Sequence, residues 1–218
     1  MGKIKFRLAK PSDAKQIASC HWHVRDRYTT GIFLSLGESF LRAYYKIILD
    51  DPYEVVICAE NDEGKIVGFS SATQDAEKQA QNLKKHKIRL GFAALGAFIC
   101  KPSLIKEVWL RYRSLDHDDA PKYVDTKGVR GEYWCWLKDV DSNVLSSFQL
   151  DDIKNRVLFE LGEKELFGEV DKTNEGVLNF HLRAHKAEII DQFTLPDGRE
   201  RVVIKIPLFP GRMPKMNK

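Results

Sequence analysis

The stretch Tyr133–Asp152, YWCWLKDVDSNVLSSFQLDD, reads as a strand passing through a turn into a helix. Such a junction gathers unpaired backbone N–H groups at the positive end of a helix dipole, which suits a phosphate. Phosphate loops normally use glycine so that the backbone can approach the anion. This one has no glycine, and it carries Asp139 and Asp141, which repel phosphate. Val144 adds a β-branched side chain at the point of approach, and Ser146 and Gln149 have the spacing of a capping box. Asp151 and Asp152 complement the helix dipole. Two readings stand side by side: a self-capped helix without a ligand, and a rearranged phosphate cradle on the N–H groups of Ser142, Asn143, Val144, Leu145, Ser146 and Ser147.

Other titratable residues offer less. Glu132 opens the same strand, where a carboxylate is either solvated or placed to act as a base. His21 and His23 in HWH are two residues apart, so they do not share a helix face and make poor metal geometry. They are expected in the core or facing solvent. His86 and His117 are given no partner at metal-ligand spacing, and no metal is expected. The basic run KKHKIR, residues 84–89, precedes the apolar run LGFAALGAFIC, residues 90–100. That pairing could lie on an anionic membrane surface or clamp an anionic sugar nucleotide, but a solvated face followed by a buried helix is the favoured reading. Arg199 and Arg201 are expected to face solvent.

These groups must be positioned by regular elements. KIKFRLA alternates as a strand and leads into a helix that starts at Ser12 and Asp13. LGESFLRAYYKIILDD carries a helical apolar stripe of Phe40, Leu41, Tyr44, Tyr45, Ile47 and Ile48, ended by Asp50-Asp51-Pro52. YEVVICAENDEGKIVGFSSAT is a hairpin turning near Glu63-Gly64, and AEIIDQFTLPDGRERVVIKIPL is a second, turning at Asp197-Gly198. Between them lie a basic helical region at about residues 75–115, the opening strand and helix, the strand KELFGEVD, and the helix NEGVLNFHLRAHK. Tyr133 and Cys135 should share one face of the fourth strand, opposite Trp134 and Trp136.

The totals bound the class. A chain of 218 residues, 43% hydrophobic and 30% charged, suits one globular domain over residues 1–208 with a basic tail at 209–218. The net charge of +4 is too small to argue for nucleic acid. Cys20, Cys58, Cys100 and Cys135 form no CxxC pair and sit among apolar residues, so reduced, mostly buried thiols and a cytoplasmic location are expected. The element order predicts an α+β fold with a central mixed, mostly antiparallel sheet flanked by helices and a helical insertion between the third and fourth strands.

That order, with FRLAKPSDAKQIASCH, VVICAENDEGKIVGF and EVDKTNEGVLNFHLRAHKAEII, resembles the GNAT-type, acetyl-CoA-dependent N-acetyltransferases. FLSLGESFLRAYYKIIL and GFAALGAFICKPSLIKEV further resemble a bacterial subgroup linked to surface-polysaccharide synthesis. The family's Q/R-x-x-G-x-G/A pyrophosphate motif falls on DSNVLS, residues 141–146, where Asp141, Val144 and Ser146 replace its key positions. The resemblance implies acetyl transfer from acetyl-CoA to a small-molecule amine, such as an amino sugar or sugar nucleotide. It implies His181 as the acid for the leaving thiolate, seven residues after Asn174, and Glu132 as a base. It also implies a cofactor contact at Asn174 and backbone N–H groups of Trp136 and Leu137 on the thioester carbonyl. Two alternatives accompany it: a binding or regulatory module that has lost coenzyme A, and a transferase that takes its acyl group from acyl carrier protein.

Overall fold

The computed structural model describes residues 3–25, 31–113, 128–137, 144–195 and 198–209. Seven strands, β1 Lys5–Leu8, β2 Glu54–Glu60, β3 Ile66–Thr73, β4 Arg130–Trp136, β5 Glu165–Asp171, β6 Glu188–Thr194 and β7 Glu200–Pro207, form one sheet in the order β1-β2-β3-β4-β5-β7-β6. Every neighbouring pair is antiparallel except β4 with β5. The helices are α1 Ala14–His23, α2 Ile32–Ser35, α3 Gly37–Ile48, α4 Ala76–Lys85, α5 Lys87–Cys100, α6 Ser103–Arg113, α7 Val144–Glu160 and α8 Glu175–Ala184. The mixed, mostly antiparallel sheet flanked by helices is the α+β class expected from the pattern.

Strand alternation divides the core in two. Val56, Cys58, Phe69, Tyr133 and Cys135 meet α1, α3 and part of α5 on one face. Val55, Ile57, Ala59, Val67, Trp134 and Trp136 meet α7 and α8 on the other. The stripe on α3 buries Phe40, Leu41, Tyr44, Tyr45 and Ile48 as its spacing requires. The β2–β3 hairpin turns through Gly64 at φ +73, with the Asn61 carboxamide oxygen accepting from the backbone of Glu63 and Lys65. His21 is buried, its Nδ1 2.8 Å from the Tyr45 hydroxyl, and His23 is exposed.

Several expectations are corrected. Helix α7 starts at Val144, so Ser146 stands inside the first turn instead of capping it. Asp151 does not serve the dipole but turns into the sheet. Its Oδ1 accepts from Ser70 Oγ and Lys154 Nζ, both at 2.7 Å, and both charged side chains are buried. Cys20, Cys58 and Cys135 are buried, but Cys100 is exposed. Helix α5 lies on the surface with Ile88, Phe92, Leu95 and Ile99 in the open, so it is not the buried helix its composition suggested. His117 lies outside the described residues.

The buried ionisable groups set the acid stability. Burial lowers both His21 and His181 from 6.5 to about 4. The unfolded chain therefore takes up protons at these sites between those values while the folded chain does not, and stability falls as pH drops through that window. Burial alone would raise the Asp151 carboxyl, but Lys154, His181 and His185 overcome it and hold it near 2. Its contribution is present above its ordinary 3.8 and is lost as pH falls through about 2. Chemical denaturation from pH 7 to pH 2 should show stability declining in both windows. Asp151→Ala strands the Lys154 ammonium and should cost about 3–5 kcal/mol at neutral pH. A stability flat from pH 7 to 4 would contradict the assigned burial of the two histidines.

Candidate active site

Strands β4 and β5 share one register position, Arg130 with Phe167, where the Phe167 N–H donates to Val129 O at 2.9 Å. Beyond it the facing edges share no register position among the described residues, while the other edge of each strand stays paired. β5 pairs with β7 at every residue from Glu165 to Asp171, and β4 pairs with β3 as far as Trp136. The two strands therefore diverge into a wedge that opens toward the C-terminal ends of both. In the ladder with β3, alternate residues of β4 bond across and the others turn away. The Leu137 N–H donates to Val67 O at 2.8 Å, so it is committed to the sheet and cannot face a ligand carbonyl as the resemblance implied. Trp136 pairs with Gly68 in the intervening register, which turns its N–H to the wedge side. Its indole lies across Gly68, where a Cβ would sit 2.5 Å from the ring and 2.9 Å from Cys135 O.

A bulge in β4 shapes the face toward α3. Glu132 and Tyr133 together oppose Ser71, between the pairs Ala72 with Gly131 and Ser70 with Trp134. A bulge aims two successive side chains to one side. Glu132 thereby meets α3, accepting from Tyr44 Oη at 3.0 Å and from Arg130 at 2.6 Å. Arg130 also donates to Gln79 Oε1, and Gln79 donates to Glu54 Oε1, both at 2.7 Å. Burial and the nearby Glu132 push the Glu54 carboxyl well up, and its Oε2 is buried without a hydrogen bond. From β5 and β7, Glu169 and Arg201 join this wall through a contact of 3.2 Å. Arg201 and Arg199 do not simply face solvent, since Arg199 holds Asp171 at 3.1 Å and the Arg201 Nε is buried.

The opposite face carries the second cluster. His181 on α8 is buried against the rings of Trp134 and Phe180. Its Nδ1 lies 3.0 Å from His185 Nδ1, and His185 Nε2 lies 2.8 Å from Asp152 Oδ1. Asp151 Oδ2, buried without a hydrogen bond, is 3.8 Å from His185 Nδ1. When both nitrogens of His185 carry protons they donate to Asp152 and His181, and the proton of neutral His181 then sits on Nε2. Asp151, His181 and His185 place ligating atoms within 4.8 Å of one another and could hold a metal ion. The Lys154 ammonium on Asp151 opposes a second cation there, and the two imidazoles already satisfy each other.

The structure sets Glu132 and His181 on opposite faces of the sheet, each with partners that the sequence reading did not name. His185 was legible, being four residues from His181 on one helix face. Tyr44 was hidden inside an apolar stripe, and no spacing links Glu54, Glu169 or Arg201 to the site. Asn174 is the N-cap of α8, its Oδ1 accepting from Val177 N. Ser146 and Ser147 are half-buried in the first turn of α7, Leu145 is exposed, and Trp134 Nε1 donates to Ser147 O at 3.1 Å. Ser142 and Asn143 lie outside the described residues, as does the side chain of Val144.

No family model matches the sequence, and no curated protein matches it. Solved structures do match in fold. An N-acetyltransferase from Staphylococcus aureus Mu50 superposes with TM-score 0.58 at 12% identity, covering 95% of this chain and 99% of that one. A Desulfovibrio desulfuricans protein assigned as an acetyltransferase of the GNAT family gives 0.56 at 11%, covering 95% and 100%. Arabidopsis thaliana NAA60 in complex with acetyl-CoA gives 0.53 at 11%, covering 94% and 99%. At these identities the likeness is one of architecture, and the fold of this chain is the GNAT fold.

Proposed function

We propose that the chain transfers an acetyl group from acetyl-CoA to a primary amine, with an amino sugar or sugar nucleotide as the acceptor class. The observation that carries this reading is the wedge between β4 and β5, which has a carboxylate wall on one face and a histidine pair on the other. Acetyl-CoA would supply the activated acyl group and the thiolate leaving group. The Trp136 N–H orients the thioester carbonyl, the first turn of α7 from Val144 to Ser147 receives phosphate, and Asn174 contacts the donor beside α8. The Glu132, Arg130, Glu169, Arg201 and Tyr44 wall suits a polar, hydroxylated amine.

In the reaction the amine nitrogen forms the C–N bond as the C–S bond breaks. Glu132 takes the proton from nitrogen, using lone pairs that Arg130 and Tyr44 leave available. The thiolate takes its proton from His181 Nε2, and His185 replaces it through Nδ1. Because burial lowers His181 to about 4, the donor is a neutral imidazole at pH 7, with its Nδ1 set against the Asp152–His185 pair.

Two measurements test this. Calorimetric titration with acetyl-CoA and desulfo-coenzyme A should give micromolar, salt-sensitive binding, and absence of binding at millimolar ligand would end the free-coenzyme reading. In a thiol-release assay with amino-sugar acceptors, His181→Phe and Glu132→Gln should each lower kcat by roughly a hundredfold or more. The Kd for acetyl-CoA should change little in either variant. An unchanged kcat in both would remove these residues from the chemistry.

A further inference from the structure

Helix α5 is apolar on two faces. Leu90, Ala94, Ala97 and Phe98 pack onto the core beside α3, and Ile88, Phe92, Leu95 and Ile99 project outward at i, i+4, i+7 and i+11. Phe92 is 74% exposed and Ile99 73%, and α6 extends the surface with Ile105, Trp109 and Tyr112. A helix that is hydrophobic all round belongs in an interior or against a bilayer, so the outer face needs a cover.

Charge identifies the cover. Between residues 84 and 113 there are eight lysines and arginines and one acid, Glu107, which is paired with Arg111. Lys85, Lys87, Arg89, Lys101, Lys106 and Arg113 are all exposed around the apolar residues, and the Arg113 guanidinium lies over the Trp109 ring at 4.9 Å. A second copy of the same face would bring these cations against each other. An anionic lipid headgroup layer neutralises them while the acyl region accepts the stripe, and Trp and Tyr are the aromatic residues that settle at such a boundary.

We propose that α5 and α6 form a docking surface for an anionic bilayer, on which α5 lies in the interfacial plane. Because α5 packs on α3, the helix that brings Tyr44 to Glu132, the docked membrane lies on the carboxylate-wall side of the sheet. This inference does not depend on acetyl transfer.

The test is co-sedimentation of the full chain with phosphatidylcholine vesicles, plain or with about one lipid in three replaced by phosphatidylglycerol. Binding should appear on the anionic vesicles, weaken with salt, and be absent on the neutral ones. Phe92→Glu with Ile99→Glu, and separately Lys85→Glu with Lys87→Glu, should each weaken it by about tenfold or more. All four sites are exposed, so thermal melts of the variants should match the parent. A solvatochromic label on the exposed Cys100 should shift to the blue on the anionic vesicles alone. Equal binding to neutral vesicles, or no binding to either, overturns the proposal. So does a dimer in sedimentation velocity that Phe92→Glu with Ile99→Glu dissolves, which would assign the face to a second copy.

Discussion

The single register contact between β4 and β5 is the constraint on which the rest depends. β5 pairs with β7 along one edge and β4 with β3 along one edge, while the edges that face each other share only the register position of Arg130 and Phe167 among the described residues. A sheet that parts in this way ends the ladder between its two central strands, and buried backbone groups need partners. The fold manages that by closing the wedge with different layers on its two faces. Aromatic rings from β4, α7 and α8 line one, and a hydrogen-bonded charge network lines the other. A wedge with backbone donors inside is therefore a consequence of topology, and it requires no unusual loop sequence.

Both polar clusters are anchored to that geometry in buried surroundings. Arg130 stands at the parting point and holds Glu132 and Gln79 together, while the Glu54 carboxyl closes the chain of contacts. Removing one member of such a network leaves another desolvated and unpaired, which is why its energetics are dominated by what is stranded. On the other face, Ser70, Asp151 and Lys154 tie α7 to β3, and the same Asp151 sits beside His185. The group that secures the helix thus also sets the field around the histidine pair. Stability and site electrostatics are coupled through one carboxylate.

What could be read from the sequence followed from short-range periodicity. Both hairpins, the α3 stripe and the face division of β4 depend on spacings of two to four residues, and these appear as expected. The bulge at Glu132 and Tyr133 was invisible because register is a property of two strands, and nothing in β4 alone says that Ser71 faces two residues. Asp151 was misplaced because the capping box at Ser146 put the helix start too late: from Val144 it stands two turns in, beyond the reach of the dipole and facing the sheet. Helix α5 was misjudged for a related reason: composition shows that it is apolar, but not that, among the described residues, only one of its two apolar faces packs on the core.

The glycine-free loop bears on the donor less than its motif suggests. Glycine matters where a Cβ would block backbone from ligand, and the position where this structure leaves no room for one is Gly68, under the Trp136 indole. The steric demand for a missing side chain falls on β3, across β4 from the wedge, where Gly68 seats the Trp136 ring at the end of β4. On the proposed reading the phosphate end would rest on the first turn of α7, whose N–H groups exist whatever side chains the residues carry. Such a site would combine a geometrically exacting reactive end with a weakly held phosphate end. Its selectivity among donors would then come from the wedge, with the loop contributing mainly to affinity.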